Sequence, residues 1–326
     1  MNIRTWLLAF VMGVLLPGLL FSAAEKLMVP QQPQETTPVT QQQTKPTQQA
    51  SVDKLTVAVL NEQGTVKEMD MDVYLTGVLL GEMPTDFDIE ALKAQAVVAR
   101  TYALKRCTAG QKHSAGAVCT ESACCQGYQT VESFLSSGGS HEAVDKVSSA
   151  VESTAEQVLT YHGALIEATY FSCSGGRTED AVAVWGTDIP YLQAVDSPGE
   201  EKATHFADSI KFTAKEFTAR LGIDPAGIPA TWFGEVTYTQ GGGVDTMVIA
   251  GKTFKGTQLR QKLGLRSTAF FVLAVGDSIH VTTKGFGHRV GMSQYGAEAM
   301  AVSGSSYQQI LSHYYPGTQL VSYQEN

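Results

Sequence analysis

The stretch from Val73 to Leu104, VYLTGVLLGEMPTDFDIEALKAQAVVARTYAL, constrains the fold more than any other part of the chain. Its first part is apolar on every side, and a helix of that kind must be covered on every side by other elements. The pattern predicts a buried helix that begins near Asp72, and Pro84 prevents it from continuing. Asp88 is suited to cap a second helix, whose Leu92, Ala96, Ala99 and Ala103 share one face. Small residues on that face imply a close neighbour. The first helix ends by presenting an acid, Glu82, after an almost uncharged run.

Other segments read more simply. KLTVAVL alternates like a strand, and QVLTYHGALIEATYFS reads as a hairpin turning at His162-Gly163. Thr213 and Glu216 stand at capping-box spacing, with Gly222 as the helix stop. Strands are expected at EVTYTQ, DTMVIAG, TAFFVLAV and SIHVTT, and closing helices over 292–301 and 307–313. From Thr108 to about Gly139 the pattern breaks into an irregular loop, which in a compact domain is functional or pinned. Strands without regular helix alternation predict an α+β fold, with mixed or antiparallel strands and packed helices around a substrate cleft.

The first fifty residues differ in kind. Trp6 to Ala24 is uncharged and follows Arg4, which predicts a single membrane-spanning anchor over 1–24 with the rest of the chain outside the cytoplasm. A cleaved secretory signal is the alternative, with Ser22 and Ala24 as small residues before the cut. Residues 25–52 are rich in Gln, Thr and Pro and read as a disordered tether, so the folded head spans 53–326. The formal charge of −9 argues against a nucleic-acid partner, because phosphate binding wants a basic face.

Glu82 would lie in the last turn of its helix, at the negative end of the dipole and among Leu79, Leu80 and Met83. Both effects raise a carboxyl pKa toward that of a general acid at neutral pH, as cleavage of a glycosidic bond requires. A solvated acid at a helix end is the alternative, and local pattern leaves both open. In the irregular loop, His113, Cys119 and Cys125 fall at H-x5-C-x5-C, a donor set suited to zinc; a disulfide or buried free thiols would also fit. FSCSGGRTE places Ser172, Ser174, Gly175 and Gly176 after a strand, either to let a sugar approach or to make a tight turn. His288 and Ser293 suggest a serine hydrolase, but no G-x-S-x-G brackets the serine, and IAGKT lacks the upstream glycine of a P-loop.

The block GEMPTDFDIEALKAQAVVARTYAL resembles the signature of the stage II sporulation protein D family. The resemblance continues in order through YFSCSGGRTED, GKTFKGTQLRQKLGLRS, GFGHRVGMSQYGAEAMA and ILSHYYPGT, over essentially the whole head. It implies a membrane-anchored lytic transglycosylase that cuts peptidoglycan during engulfment in sporulation. Glu82 would be its catalytic acid and then base, leaving a 1,6-anhydro N-acetylmuramic acid end. It also implies glycan strands already stripped of peptide as substrate, an amidase called stage II sporulation protein P that prepares them, and a membrane partner called stage II sporulation protein M. Stripped strands expose lactyl carboxylates, for which Arg100 and Arg177 are the candidate cations, with a structural ion pair as the alternative for each. Tyr170, Ser172, Ser174, Gly175, Gly176, His288 and Gln294 are the expected sugar contacts. The family's zinc positions fall on His113, Cys119 and Cys125, with a structural role. The departure is Cys124, where the family often carries His, so a fourth thiolate would complete or compete within the site. Amidase-enhancer proteins are similar to the same family, so a peptidoglycan-binding scaffold that activates an amidase is the competing function. A zinc hydrolase cutting amide bonds is a third, and it would need an open metal position.

Overall fold

The computed structural model describes residues 55–323 apart from residue 62. The expected anchor over 1–24 and tether over 25–52 lie outside the described residues.

The chain enters with an antiparallel hairpin of β1 (Thr56–Leu60) and β2 (Val66–Asp70), which runs directly into helix α1 (Met71–Glu82). The helix begins one residue before Asp72 because Asp70 caps it, its carboxylate accepting from the Asp72 and Val73 amides at 3.0 and 3.2 Å. Pro84 ends it as expected, and the chain is extended at Met83. Asp88 caps α2 (Ile89–Thr108), accepting from the Glu90 amide at 2.8 Å. The alanine face of α2 is only part of its burial, since every residue from Ala94 to Leu104 is buried. That requires partners all round. They are α1, then α4, β4, α8 and α9 as introduced below.

Next come β3 (Val118–Cys119), parallel to β1, and then α3 (Val131–Ser136) and α4 (His141–Glu152). Strands β4 (Gln157–Tyr161) and β5 (Ala164–Leu165) form the expected hairpin. His162 and Gly163 both take positive φ, 50° and 79°, as the mirror-image two-residue turn demands. β6 (Tyr170–Phe171) and the short α5 (Ala181–Trp185) follow.

Residues 207–284 then build a second hydrophobic core of their own, around Phe212, Phe217, Trp232, Ile249, Leu259 and Ile279. Its elements are β7 (Ala207–Thr213), α6 (Ala214–Leu221), β8 (Phe233–Tyr238), β9 (Val244–Ile249), β10 (Lys252–Lys255), α7 (Gly256–Leu263), β11 (Phe270–Val275) and β12 (Ser278–Lys284). They form two three-stranded antiparallel sheets, ordered β10-β9-β8 and β11-β12-β7. The capping box of Thr213 and Glu216 and the left-handed Gly222 are present.

The chain returns to the first core to finish it. β13 (Met292–Ser293) pairs in parallel with β6, so Met292 does not open a helix as expected; Ser293 instead caps α8 (Gln294–Val302). Helix α9 (Tyr307–Tyr314) packs on α2, and β14 (Gln319–Ser322) runs antiparallel to β4. The head is α+β, with antiparallel ladders predominating and two short parallel ones.

Candidate active site

Glu82 is the last residue of α1, and the segment 126–128 crosses directly over it. The Gly127 amide donates to Glu82 Oε1. Only glycine permits this approach, because a Cβ at position 127 would stand 2.8 Å from the same oxygen. Gly81 serves the same crossing, since its Cβ would stand 2.8 Å from the Tyr128 amide nitrogen. Tyr128 in turn stacks on Tyr74 of α1, with ring centroids 5.9 Å apart. Burial raises the Glu82 pKa above the ordinary carboxyl value, while the Gly127 amide and the side chains of Tyr170 and Gln294 act in the other direction without cancelling it. The helix end adds to the rise.

The hydroxyl that faces Glu82 is held by a chain of polar groups. Tyr74 Oη donates to Gln126 Oε1 at 3.0 Å, and Gln126 Nε2 donates to Tyr170 Oη at 3.2 Å. That leaves the Tyr170 hydroxyl hydrogen for the carboxyl. Burial and the nearby Glu82 push the Tyr170 pKa well up, so it stays a donor. Gln294 is buried and turns its side-chain amide toward the Glu82 carboxyl.

Glu82, Tyr170 and Gln294 line a cleft of about 990 Å³. Its lining includes a polar, cationic group, with Tyr102, Arg106, Lys112 and Ser122 to Cys125, and an aromatic group, with Phe171, Trp185, His205, Phe286 and His288. His288 packs against Phe171 and Trp185, with centroids at 5.6 and 5.4 Å, and burial pushes its pKa down to about 4. It is therefore a neutral wall residue at pH 7. A second carboxylate, Glu167, also lines the cleft, but Arg106 pairs with it and Lys105 Nζ lies 3.8 Å away.

Of the residues singled out from the sequence, Glu82, Tyr170, Ser172, His288 and Gln294 meet in this cleft. Others do not. Arg100 is fully buried in the first core. Its Nη1 donates to the carbonyls of Thr154 and Gln157 at 2.8 and 3.2 Å, and its Nη2 to that of Val151 at 3.2 Å, with Asp72 at 3.8 Å. It closes the end of α4 and is not placed to meet a ligand, which corrects its candidacy as a substrate cation. Arg177 pairs with Asp196 and donates to the Gln240 carbonyl at 3.0 Å, outside the cleft lining. Ser174, Gly175 and Gly176 wrap the buried carboxylate of Glu200: the Ser174 hydroxyl and the Gly175 amide donate to it at 2.8 Å each, and the Gly176 amide at 3.3 Å. The tight-turn alternative describes them better than sugar contact. Ser293 donates to Glu200 as well, at 2.5 Å, and not to His288. Sequence reading missed Trp185, Phe286, Arg106, Lys112 and Glu167. Among them only the exposed Trp185, beside the chain-turning Gly186, carried a local signal.

Beside the acid, His113, Cys119, Cys124 and Cys125 bring their ligand atoms within 4.8 Å of one another, with His113 Nε2 and Cys124 Sγ at 3.4 Å. All five cysteines carry free thiols, so no disulfide joins Cys119 to Cys125. Tetrahedral zinc with bonds near 2.3 Å separates its ligands by roughly 3.8 Å, so this set fits such an ion with a small contraction. Cys124 belongs to the cluster. Both Cys124 and Cys125 donate their amides to the Glu121 carbonyl at 2.9 Å, a tight turn that presents the two thiols together.

A helix-end acid, a glycine amide on its oxygen and a thiol-rich loop beside it define a protein with a half-buried acid lining a cleft. The family profile described as "Stage II sporulation protein" matches residues 60–161, which contain both the acid and the metal-ligand cluster. The chain is 42% identical over 261 residues to stage II sporulation protein D of Bacillus subtilis (strain 168), covering 78% of this chain and 76% of that one. It is 40% identical over 261 residues to the protein of the same name in Bacillus amyloliquefaciens, covering 78% and 75%. An amidase enhancer of Bacillus subtilis is 29% identical over 308 residues, covering 76% of this chain and 40% of the enhancer. The chain belongs to the stage II sporulation protein D family, a family of sporulation proteins.

Proposed function

We propose that the protein is a lytic transglycosylase that cleaves peptide-stripped peptidoglycan strands between N-acetylmuramic acid and N-acetylglucosamine, remodelling the septal wall during engulfment. The observation that carries this reading is the single uncompensated carboxyl of the cleft. Glu82 is held against the Gly127 amide with its pKa raised, while Glu167 is tied up by Arg106. Glu82 would give its proton to the leaving oxygen and then, as carboxylate, take the proton of the muramoyl 6-hydroxyl as that oxygen closes on C1. The C1–O bond to the leaving sugar breaks, a new C1–O6 bond forms, and no water is consumed. One acid suffices, unlike the flanking pair of an ordinary glycosidase. Gly127 and Tyr170 would stabilise the carboxylate stage.

His113, Cys119, Cys124 and Cys125 would hold a zinc ion, which supplies a covalent-strength closure of the loop that carries Gly127. Four protein donors leave no open position, so the role is structural. The same proposal places the head outside the cytoplasm on a single-pass anchor over 1–24, alongside stage II sporulation proteins P and M. The likeness to an amidase enhancer supports a second reading, a glycan-binding scaffold without chemistry of its own.

Mass spectrometry of peptide-free strands treated with the protein or with Glu82→Gln separates the two. Anhydro-muramoyl ends that form with the parent and vanish in the variant are expected. Strands bound but left intact by a folded, metal-loaded parent would give the scaffold reading precedence.

A further inference from the structure

The cleft holds two cations, and they differ in what they are doing. Arg106 is committed: it pairs with Glu167, donates to the Gly110 carbonyl at 3.0 Å and lies over the Tyr102 ring at 4.9 Å. Lys112 is not. Its side chain is exposed, its Nζ donates to Tyr102 Oη at 3.1 Å and to the Cys124 carbonyl at 2.6 Å, and no carboxylate among the described residues pairs with it. An ammonium has three N–H donors and these two bonds use two, so one points away from both partners. The two bonds also fix the ammonium on the polar wall of the same cleft that Glu82 lines. A positioned ammonium with no carboxylate partner matters in a chain with a formal charge of −9, since the overall field repels anions and a local cation must do the attracting.

We infer that Lys112 is the receptor for a carboxylate on the substrate, and that this carboxylate is the free lactyl group of the muramoyl residue. The inference rests on the glycan reading above. In a stripped strand the lactyl group is an anion. In a peptide-bearing strand the same carbon is an amide, neutral and blocked. One ammonium at this point therefore distinguishes the two at the sugar itself, a task that Arg100 and Arg177 are not placed to perform. The aromatic part of the lining, with Trp185 and Phe286, suits the uncharged faces of the sugar rings.

The test measures binding in the Glu82→Gln background, where turnover does not intrude. The probes are peptide-free strands, the same strands with lactyl carboxylates converted to methylamides, strands that retain their peptides, and N-acetylglucosamine oligomers. Free lactyl strands should bind about tenfold tighter than the methylamides, with a ratio that shrinks as salt rises. Lys112→Met should bring both to the methylamide affinity, and Lys112→Arg should retain part of the preference. Peptide-bearing strands, which carry carboxylates elsewhere, should bind no tighter than the methylamides. Metal content and thermal unfolding, compared with the parent, report whether the Cys124 contact was structural. Equal weakening of both ligands by Lys112→Met, or an unchanged ratio, overturns the assignment while leaving glycan binding intact. If the parent binds none of the strands, the substrate reading falls and this assignment with it.

Discussion

Replacing Arg100 by Met tests the division between what holds the fold and what meets the substrate. Methionine keeps most of the stem's volume and removes the guanidinium. Three carbonyls at the end of α4, those of Val151, Thr154 and Gln157, then lose a charged donor, although Val151 keeps the Thr154 amide and hydroxyl and Thr154 keeps the Gln157 amide. A hydrogen bond to a charged donor contributes about 1.5–3 kcal/mol. Against that, the variant no longer buries a charge, whose pKa burial has already pushed down to about 10. Set against that relief, the loss of three such bonds leaves a net cost of about 3–5 kcal/mol. For a head of this size that lowers the unfolding midpoint by roughly 6–20 °C. Urea and thermal unfolding followed by circular dichroism measure it, and glycan affinity at a temperature where both proteins are folded is the second readout. Affinity should be unchanged. A variant as stable as the parent that binds stripped strands several-fold more weakly would refute the structural role and return Arg100 to the cleft.

Gly127→Ala places a methyl 2.8 Å from Glu82 Oε1; displacement of the acid by about an ångström should lower kcat about 100-fold, read by anhydro-muramoyl release, with strand binding retained. Because the folded pKa of Glu82 is raised, its protonated form should carry the activity. The rate constant should fall as pH rises through that folded pKa, a limb visible in a pH profile of kcat/KM. The same shift means that the unfolded state releases its proton first as pH rises, so stability declines between the ordinary carboxyl pKa and the raised one; Glu82→Gln should flatten that slope in unfolding measurements. Chelation should lower the unfolding midpoint and abolish protection of the Gly127 amide in hydrogen exchange, while a metal assay of the untreated protein finds one ion per chain.

Where chemistry was local, the sequence was readable. The cap at Asp88, the capping box at Thr213 and Glu216, the turn at His162-Gly163 and the stop at Pro84 each depend on residues within a few positions. Helix α1 began earlier than expected because two acids, Asp70 and Asp72, both suit a cap, and only the hairpin's end decides that Asp70 takes it. Glu82 was not singled out by local pattern, which a solvated acid at a helix end would satisfy equally; the family resemblance pointed to it. The rest of the site is made by distant pairing. Tyr170 and Gln294 reach Glu82 because β6 and β13 run side by side, a parallel ladder of two residues each that no local pattern announces. The glycines after Phe171 suggested sugar contact, yet their amides are spent on Glu200, a carboxylate far along the chain. Arg100 looked available because an arginine in an alanine-rich helix gives no sign of the carbonyls waiting for it.

The metal-ligand cluster and the acid belong to one device, and their sequence spacing says why. Cys125 and Gly127 stand two residues apart, so whatever fixes the thiol fixes the amide that rests on Glu82. Between α2 and α3 the chain has little regular structure, only a brief helical turn and the two-residue β3. Such a segment cannot order itself by packing, because it buries too little apolar surface to offset its chain entropy. Three constraints replace packing. A metal held by the cluster would pin the loop on one side, Gln126 ties it to Tyr74 and Tyr170 in the middle, and Tyr128 locks into the notch left by Gly77 and Gly81 on the other side. With all three in place the Gly127 amide has no freedom to leave the carboxyl, and a site that works by proton transfer over a hydrogen-bond length needs that fixity. The two small residues on α1 are thus as much a part of the acid's surroundings as the groups that touch it. A larger side chain at position 77 would meet the Tyr128 ring at 2.2 Å and push the loop, amide included, off the acid.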